Sequence, residues 1–172
     1  MILSGTQIQR SVETSDAFGL DISPSPMDVQ YQPASVDMTL GREVYVPELD
    51  MYSELAAREE LSLEPTSFVL CHTQETVDIP PTLLGLFNGK STLARRGIVV
   101  HLVAGVCDPG FTGDIVLEIV NLSGSTQTIH QGDEVGQCLF MELSEPSEQP
   151  YGHDMNNNHY QNQTGVTPAH DV

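Results

Sequence analysis

Residues 114–121, which read Asp-Ile-Val-Leu-Glu-Ile-Val-Asn, carry the strongest strand signal in the chain. Side chains alternate across a strand, so Ile115, Leu117 and Ile119 share one face, while Glu118 stands between two valines on the other. Apolar residues on both faces predict a strand that is buried on both sides. Burial disfavours a charged carboxylate and would raise the pKa of Glu118 towards that of a general base. The alternatives are a buried glutamate paired with an arginine and an edge glutamate that faces water.

Shorter apolar runs on both sides of this segment predict further strands. They lie at 36–46 with a break at Gly41, at 68–72, at 83–87, at 98–103, and in a hairpin at 126–143 around Gln131-Gly132-Asp133. Between them, 14 Gly and 11 Pro residues are scattered along the chain, as is typical of short strands joined by turns. We therefore expect an all-β, distorted barrel or sandwich with one or two short helices.

Helical and irregular segments complete the expected organisation. Ser4 precedes a predicted short helix with Ile8 and Val12 at helical spacing. Residues 48–64 are expected to form a surface helix or an ordered excursion. From 144 to 172 the chain is polar and rich in Asn and Gln, which predicts an extended tail. A chain of 172 residues without an internal repeat fits one domain spanning 1–172.

The charge balance is strongly acidic. Six Lys and Arg stand against 24 Asp and Glu, which gives a formal net charge of −18. Binding to nucleic acid or to an anionic membrane surface needs many cations, so both classes of partner are excluded. An acidic, self-repelling surface with a single lysine fits a salt-adapted cytoplasm, that of a halophile or of a virus that infects one. An acidic protein from an ordinary cell is the alternative.

Neither membrane insertion nor a zinc site is expected. No apolar run is long enough to cross a bilayer and no leader is evident, so we expect a cytoplasmic protein. Cys71, Cys107 and Cys138 are odd in number and far apart, which favours buried free thiols. The Cys-x-x-Cys spacing of zinc sites is missing.

Half of the positive charge lies in residues 89–96, which read Gly-Lys-Ser-Thr-Leu-Ala-Arg-Arg. A glycine, two hydroxyl groups and several cations at the start of a short helix can hold phosphate oxygens. The alternative is a solvated basic turn that pairs with surface acids. The segment is not a Walker loop, because the first glycine of that motif is missing.

Residues 104–111, which read Ala-Gly-Val-Cys-Asp-Pro-Gly-Phe, predict a shaped loop between strands. Backbone groups in such a loop can recognise a flat ring, and Asp108 can bind a hydroxyl group or a water molecule. An ordinary Asp-Pro-Gly turn explains the same residues.

Together these segments resemble the dCTP deaminase family, in the trimeric dUTPase-like superfamily. The resemblance rests on segments 89–95, 101–113 and 115–121, in that order and spacing. Shorter matches lie at 1–4, 32–37, 136–137, 146–152 and 160–168. Several motifs in the right order are far more specific than any one of them, and 48–64 matches least.

The resemblance implies a dUTPase-like homotrimer that deaminates dCTP to dUTP, with sites at subunit interfaces and a tail that closes over the nucleotide. It implies chemistry without zinc, and Mg²⁺ bound through the triphosphate rather than by protein side chains. Glu118 would activate the attacking water. Ser91 and Arg95, with Lys90, would hold the triphosphate, and Arg95 would also orient Glu118.

The remaining site residues are implied by the same resemblance. Asp108 would bind the sugar 3′-hydroxyl or a metal-linked water, the backbone at Ala104 would read the pyrimidine edge, and Val116 and Leu117 would flank it. The other expected substrate-binding residues are Thr92, Gly105, Gln137, Tyr151, His159 and Gln163.

The chain also departs from the family pattern. His159 replaces a usual lysine, and Ala169-His170 replace a usual Ser-Arg pair. Both changes remove permanent cations from the tail, and neutral histidine is a weaker, pH-dependent partner for phosphate.

Four functions therefore stay open: deamination alone, deamination that continues to dUMP, and two rivals. Gly105-Val106 and Lys90 resemble family members that continue from dUTP to dUMP, whereas members that only deaminate carry His-Arg after the alanine. One rival is a dUTP diphosphatase that uses Asp108 for its water and does not need Glu118. The other is a nucleotide-binding regulator whose catalysis has decayed, against which the intact Ser91, Arg95 and Glu118 count.

Overall fold

A computed structural model describes residues 1–14, 18–156 and 158–170. The described residues form two α-helices and thirteen strands, with 3₁₀ turns at Asp28–Gln30 and Pro47–Leu49. The helices are α1 (Gly5–Thr14) and α2 (Ser91–Arg95). The strands are β1 (Asp21–Ser23), β2 (Tyr31–Gln32), β3 (Ser35–Thr39), β4 (Glu43–Val46), β5 (Met51–Glu54), β6 (Glu60–Leu63), β7 (Phe68–Asp78), β8 (Leu83–Gly89), β9 (Ile98–Val100), β10 (Val106–Cys107), β11 (Thr112–Asn121), β12 (Gln127–His130) and β13 (Glu134–Glu142).

Two antiparallel sheets enclose one hydrophobic core. The larger has the order β5-β4-β7-β11-β9 with β1 also paired to β7, and the second has the order β10-β8-β13-β3-β2. A two-stranded ribbon, β12-β6, lies outside both. The expected all-β fold with short helices is confirmed. Among the described residues, no helix has the length and apolar character needed to span a membrane.

Segment 114–121, whose pattern predicts a strand, lies within β11 and borders the candidate site. Ile115, Leu117 and Ile119 are buried in the core, as their spacing predicts. The opposite face was expected to be buried too, and that expectation is wrong: Val116, Glu118 and Val120 are only half-buried. That face borders a cavity, so β11 joins the core to the candidate site.

Two other sequence predictions need correction. For segment 48–64 the helical alternative is wrong, because its described residues contain β5 and β6 but no α-helix, which leaves the ordered excursion. In β6 the exposed Glu60 and Ser62 alternate with more buried leucines, which is the period of a strand. The hairpin at 126–143 is also wrong, because β12 pairs with β6 and β13 pairs with β8 and β3.

The turn between β12 and β13 explains this difference. Leu40 donates to the Asp133 carbonyl at 2.9 Å, and Gly132 donates to the Leu40 carbonyl at 2.8 Å. These bonds fasten the turn next to β3, so the chain enters the second sheet instead of folding back on β12.

Candidate active site

A cavity of about 620 Å³ opens beside β11. Its walls come from β4 and the turn that follows it, from β7 and β11, from the segment after β9 and from the tail. Six of the predicted site residues line it: Ala104, Asp108, Val116, Glu118, Tyr151 and Gln163. The structure thus brings these six residues, which are spread over the sequence from 104 to 163, together around one cavity.

Glu118 and His101 form the polar centre of this cavity. Glu118 Oε2 lies 3.1 Å from His101 Nδ1, and the two side chains are 25% and 4% exposed, respectively. The register of β11 with β9 pairs Ile119 with Val100, which brings His101, the first residue after β9, beside Glu118. His101 also donates its backbone N–H to the Glu118 carbonyl at 3.0 Å.

The side-chain contact is close but not aligned as a hydrogen bond. Glu118 Oε2 and both ring nitrogens of His101 therefore have no hydrogen-bond partner among the described residues. Buried polar atoms are nearly always satisfied in proteins. These atoms are the groups that a water molecule or a bound ligand can satisfy.

The pKa of Glu118 is lowered, which contradicts the expectation of a raised value. Burial raises this pKa, but the His101 imidazole together with the backbone groups of Glu118 and Leu102 outweighs burial and holds it below the ordinary glutamate value. Burial likewise lowers the pKa of His101, but the Glu118 carboxylate, with a smaller contribution from the Ala104 backbone, outweighs it, so that pKa is raised. Each group favours the charged form of the other.

The loop after β9 is both an ordinary Asp-Pro-Gly turn and part of the cavity wall, the two interpretations that its sequence allows. Phe111 donates to the Asp108 carbonyl at 3.0 Å, which forms the expected Asp-Pro-Gly turn. Ala104 and Asp108 also line the cavity. Gly105 does not line it: the loop docks on β8 through a 2.8 Å bond from Phe87 N–H to the Gly105 carbonyl. A Cβ at 105 would lie 2.8 Å from the Phe87 carbonyl oxygen, so glycine permits this approach.

The tail runs along the cavity. Tyr151 donates its N–H to the Pro109 carbonyl at 2.7 Å, and its ring packs edge-on against Phe111. Gln163 forms a parallel bridge with Gly113 at the start of β11. Tyr160 and residues 167–169 add further lining.

The predicted phosphate segment lies elsewhere on this chain. Ser91, Thr92 and Arg95 are exposed on α2 and do not line the cavity. Lys90 Nζ contacts the buried Asp37 carboxylate and lies 3.0 Å from Glu134 Oε2. Arg95 has no ion pair among the described residues, and His101 instead occupies the place beside Glu118 expected for it.

Three other predicted residues also lie outside the cavity. The Leu117 side chain is fully buried in the core, so only its backbone can face a ligand. Gln137 lies on β13 and accepts a hydrogen bond from Ser35 Oγ at 3.3 Å. His159 is exposed, with its ring 5.3 Å from the ring of His170.

A histidine in a strand is more often structural than functional, so sequence alone places His101 below Glu118 as a candidate. Nor does the sequence mark Tyr45, Phe68 and Tyr160 as site residues, although they line the cavity. The pairing of β9 with β11 would have revealed the role of His101, because it places residue 101 next to residue 118. No local signal marks the three aromatic residues, since separate segments bring them together.

The sequence matches known proteins over nearly its whole length. A sequence model of the family described as dCTP deaminase-like matches residues 2–143. A dCTP deaminase of Natronomonas pharaonis, a halophilic archaeon, is 40% identical over 183 residues, covering 96% of this chain and 92% of that protein. A protein of Kocuria rhizophila named dCTP deaminase, dUMP-forming, is 36% identical over 184 residues, covering 98% of this chain and 94% of that protein.

Solved structures agree on the fold. The 2′-deoxycytidine 5′-triphosphate deaminase of Agrobacterium tumefaciens superposes with a TM-score of 0.69 at 20% identity, covering 83% of this chain and 48%, about half, of that chain. A dUTPase from phage phi11 of S. aureus, whose structure describes a structural Mg(II) ion, has a TM-score of 0.55 at 16% identity, covering 80% of this chain and 99% of that one. The fold is therefore dUTPase-like. With the match over residues 2–143 and relatives at 36–40% identity, the chain belongs to the dCTP deaminase-like family.

Proposed function

We propose that this protein hydrolyses the amino group of dCTP to give dUTP and ammonia, and then hydrolyses dUTP to dUMP and pyrophosphate. The observation that carries the proposal is the Glu118 carboxylate at the cavity wall, beside His101 and with Oε2 lacking a hydrogen-bond partner. Relatives named dCTP deaminase, some of them dUMP-forming, support the same activity. We also propose that residues 1–172 act as one domain and that the protein acts in the cytoplasm on the nucleotide pool.

Glu118 has the properties of the general base. Its lowered pKa keeps it ionised at neutral pH, ready to accept a proton from water. The oxygen of that water attacks C4 of the cytosine ring, and Glu118 passes the proton to the amino nitrogen. The C4–N bond then breaks and ammonia leaves, while the proton of the new C4 hydroxyl moves to N3, so that one water is consumed and cytosine becomes uracil.

The other cavity residues suit recognition of a deoxynucleoside. The Ala104 backbone would read the pyrimidine edge, and Val116 would flank the ring. Asp108 would accept a hydrogen bond from the sugar 3′-hydroxyl or from a water bound to Mg²⁺. The metal would neutralise charge on the triphosphate, whose hard oxygens it prefers, and carboxylate and triphosphate oxygens together fit that preference. Tyr151 and Gln163 would close the pocket from the tail.

The exposed helix α2 suggests how the triphosphate is held. Lys90, Ser91, Thr92 and Arg95 lie outside the cavity of their own chain. We propose that α2 of a neighbouring subunit supplies them, in a homotrimer with shared sites. Apolar side chains around the loop after β9 support this assembly, because Leu102, Val103 and Val106 are 47%, 95% and 55% exposed in the single chain.

Gly105 favours the dUMP-forming activity over deamination alone. Members that only deaminate carry a histidine at this position. In this chain the Cβ of a histidine at 105 would lie 2.8 Å from the Phe87 carbonyl oxygen. The loop seen here therefore fits the Gly-apolar pattern of the dUMP-forming members.

A time course of products tests the proposal. The purified protein is incubated with Mg²⁺ and dCTP in high salt, and ammonia, dUTP, dUMP and pyrophosphate are followed. Ammonia with dUMP and pyrophosphate is expected, whereas accumulating dUTP would restrict the activity to deamination. Hydrolysis of dUTP without turnover of dCTP would overturn the deaminase assignment and favour the diphosphatase. Binding without any turnover would favour the regulator.

A matched pair of variants tests the base. Glu118→Gln keeps the shape of the side chain and should reduce kcat for deamination by about 100-fold or more while nucleotide binding changes little. Glu142→Gln, an exposed residue at the end of β13, makes the same charge change and should be silent. Activity that survives Glu118→Gln would remove the general-base role.

A further inference from the structure

The tail is fastened to the body of the protein directly beside the cavity. Gly165 donates its backbone N–H to Asp114 Oδ2 at 2.8 Å, and Val166 donates its own to Glu43 Oε1 at 2.9 Å. The Val166 side chain is 5% exposed. Two consecutive amides are thus held by two carboxylates, and hydrogen bonds to charged acceptors are stronger than those between neutral groups.

Asp114 is built into this arrangement from several directions. Its side chain accepts a second hydrogen bond from Thr76 Oγ1 at 2.6 Å. Its backbone exchanges two more bonds with Gln163, one from the Asp114 N–H at 3.0 Å and one to the Asp114 carbonyl at 2.7 Å. Burial raises the pKa of Asp114, but His72 and the hydrogen bonds from Thr76 and Gly165 outweigh it and hold that pKa below its usual range.

His72 contacts the Asp114 carboxylate and the backbone that carries Glu43. Its Nε2 lies 3.2 Å from the backbone N–H groups of Arg42 and Glu43 and accepts from both. The ring proton therefore stands on Nδ1, which faces Asp114 Oδ2 at 3.3 Å. The ring can approach this closely because residue 41 is glycine, where a Cβ would lie 2.4 Å from the imidazole.

Gly165 is equally constrained. Its φ is +65°, in the left-handed region, and a Cβ there would lie 3.1 Å from the Glu43 carboxylate. Glycine satisfies both conditions without strain. The position thus depends on glycine for the tail to present its two amides.

The anchored residues stand between two stretches of cavity lining. Gln163 lines the cavity on one side of Gly165-Val166, and residues 167–169 line it on the other. We propose that Asp114 and Glu43 are positioning residues, which hold the tail in its closed place over the substrate, with His72 as their support. The anchor is made by carboxylates and backbone amides, so it needs no cation in the tail. The inference rests on the proposed function, because a nucleotide is what the tail would cover.

Variants from both sides of the contact test this anchor. Gly165→Ala changes only the tail, and Glu43→Ala changes only the body. Each should raise KM for dCTP about tenfold while kcat stays within about threefold, because ground-state closure rather than chemistry is lost. Glu43→Gln retains an acceptor oxygen and should lose less than Glu43→Ala. Gly124→Ala, where a Cβ meets nothing within 4 Å, and Glu142→Ala are the matched controls.

Hydrogen–deuterium exchange of the 161–170 segment gives a readout without nucleotide. Exchange there should quicken in Gly165→Ala and Glu43→Ala and stay unchanged in the controls. The double variant should be no worse than the worse single one, because both changes break one unit. Unchanged exchange, or quickened exchange with an unchanged KM, would overturn the proposal. If the unaltered protein fails to deaminate dCTP, the proposed function fails, while exchange still decides whether the anchor holds the tail.

Discussion

At the scale of single residues, the environment of Glu118 departs from what its strand suggests. An acid in an apolar row is expected to have a raised pKa, yet the neighbouring imidazole reverses the sign. The sequence shows which residues share one face of a strand, but it does not show which residue of a neighbouring strand lies beside them. Glu118 could therefore be identified as a candidate from its pattern, whereas its pairing with His101 could not.

The pair makes a prediction for the pH dependence of activity. Replacing His101 with Asn removes the largest of the contributions that lower the pKa of Glu118, so that pKa rises. A base with a higher pKa becomes protonated at higher pH, so the acidic limb of the kcat/KM profile should move to higher pH. His130→Asn, at the half-buried His130–Asp133 pair away from the cavity, is the control. An acidic limb that stays in place, or moves to lower pH, would contradict this assignment.

At the scale of elements, local sequence patterns correctly predicted whether a segment is a strand or a helix where that depends on the segment's own residues. The alternation in β11 and the spacing of Ile8 and Val12 in α1 were confirmed. The pairing of β12 was not predictable, because a turn with the sequence of a hairpin is fastened to Leu40 instead. The short acidic strand β6 offered too few residues to separate a period of 2 from one of 3.6.

The contact between the loop after β9 and strand β8 is the element-level feature most open to test. Gly105→Ala would place a Cβ 2.8 Å from the Phe87 carbonyl oxygen, which is backbone and cannot rotate away. The loop would have to shift, moving Ala104 and Asp108 within the cavity, and overpacking of this kind should lower kcat/KM about tenfold. Gly124→Ala should leave the rate unchanged. A Gly105→Ala protein with full kcat/KM would show that the loop position does not set the site.

At the scale of the whole molecule, the single chain brings together the cavity but not the phosphate segment. No sequence pattern could separate the two groups, because both lie in motifs that resemble one family site. The proposed shared site would explain why Arg95 is exposed and without an ion pair among the described residues while Glu118 lies in the cavity. This explanation can be tested without a structure of the assembly.

Mixed assemblies test whether neighbouring chains share the site. Glu118→Gln and Arg95→Ala proteins should each be inactive alone. If each is mixed with the other, dissociated and reassembled, roughly a quarter of the shared sites would combine Glu118 from one chain with Arg95 from another, restoring activity to that fraction. Each variant reassembled alone is the control. No recovery in the mixture would place both residues in one chain's site or remove Arg95 from it.

The net charge of −18 is a property of the whole surface, and it predicts that stability depends on salt. Repulsion among acids weakens the folded state, and the Debye length falls from about 10 Å at 0.1 M salt to about 3 Å at 1 M. The melting temperature should therefore rise with KCl. Changing the exposed Glu142, Glu145 and Glu148 to Gln removes three of the repelling charges, so the variant should be less salt-dependent. A melting temperature that does not rise between 0.1 M and 1 M KCl would show that the acids are not a salt adaptation, because screening over these distances must relieve any repulsion that limits stability.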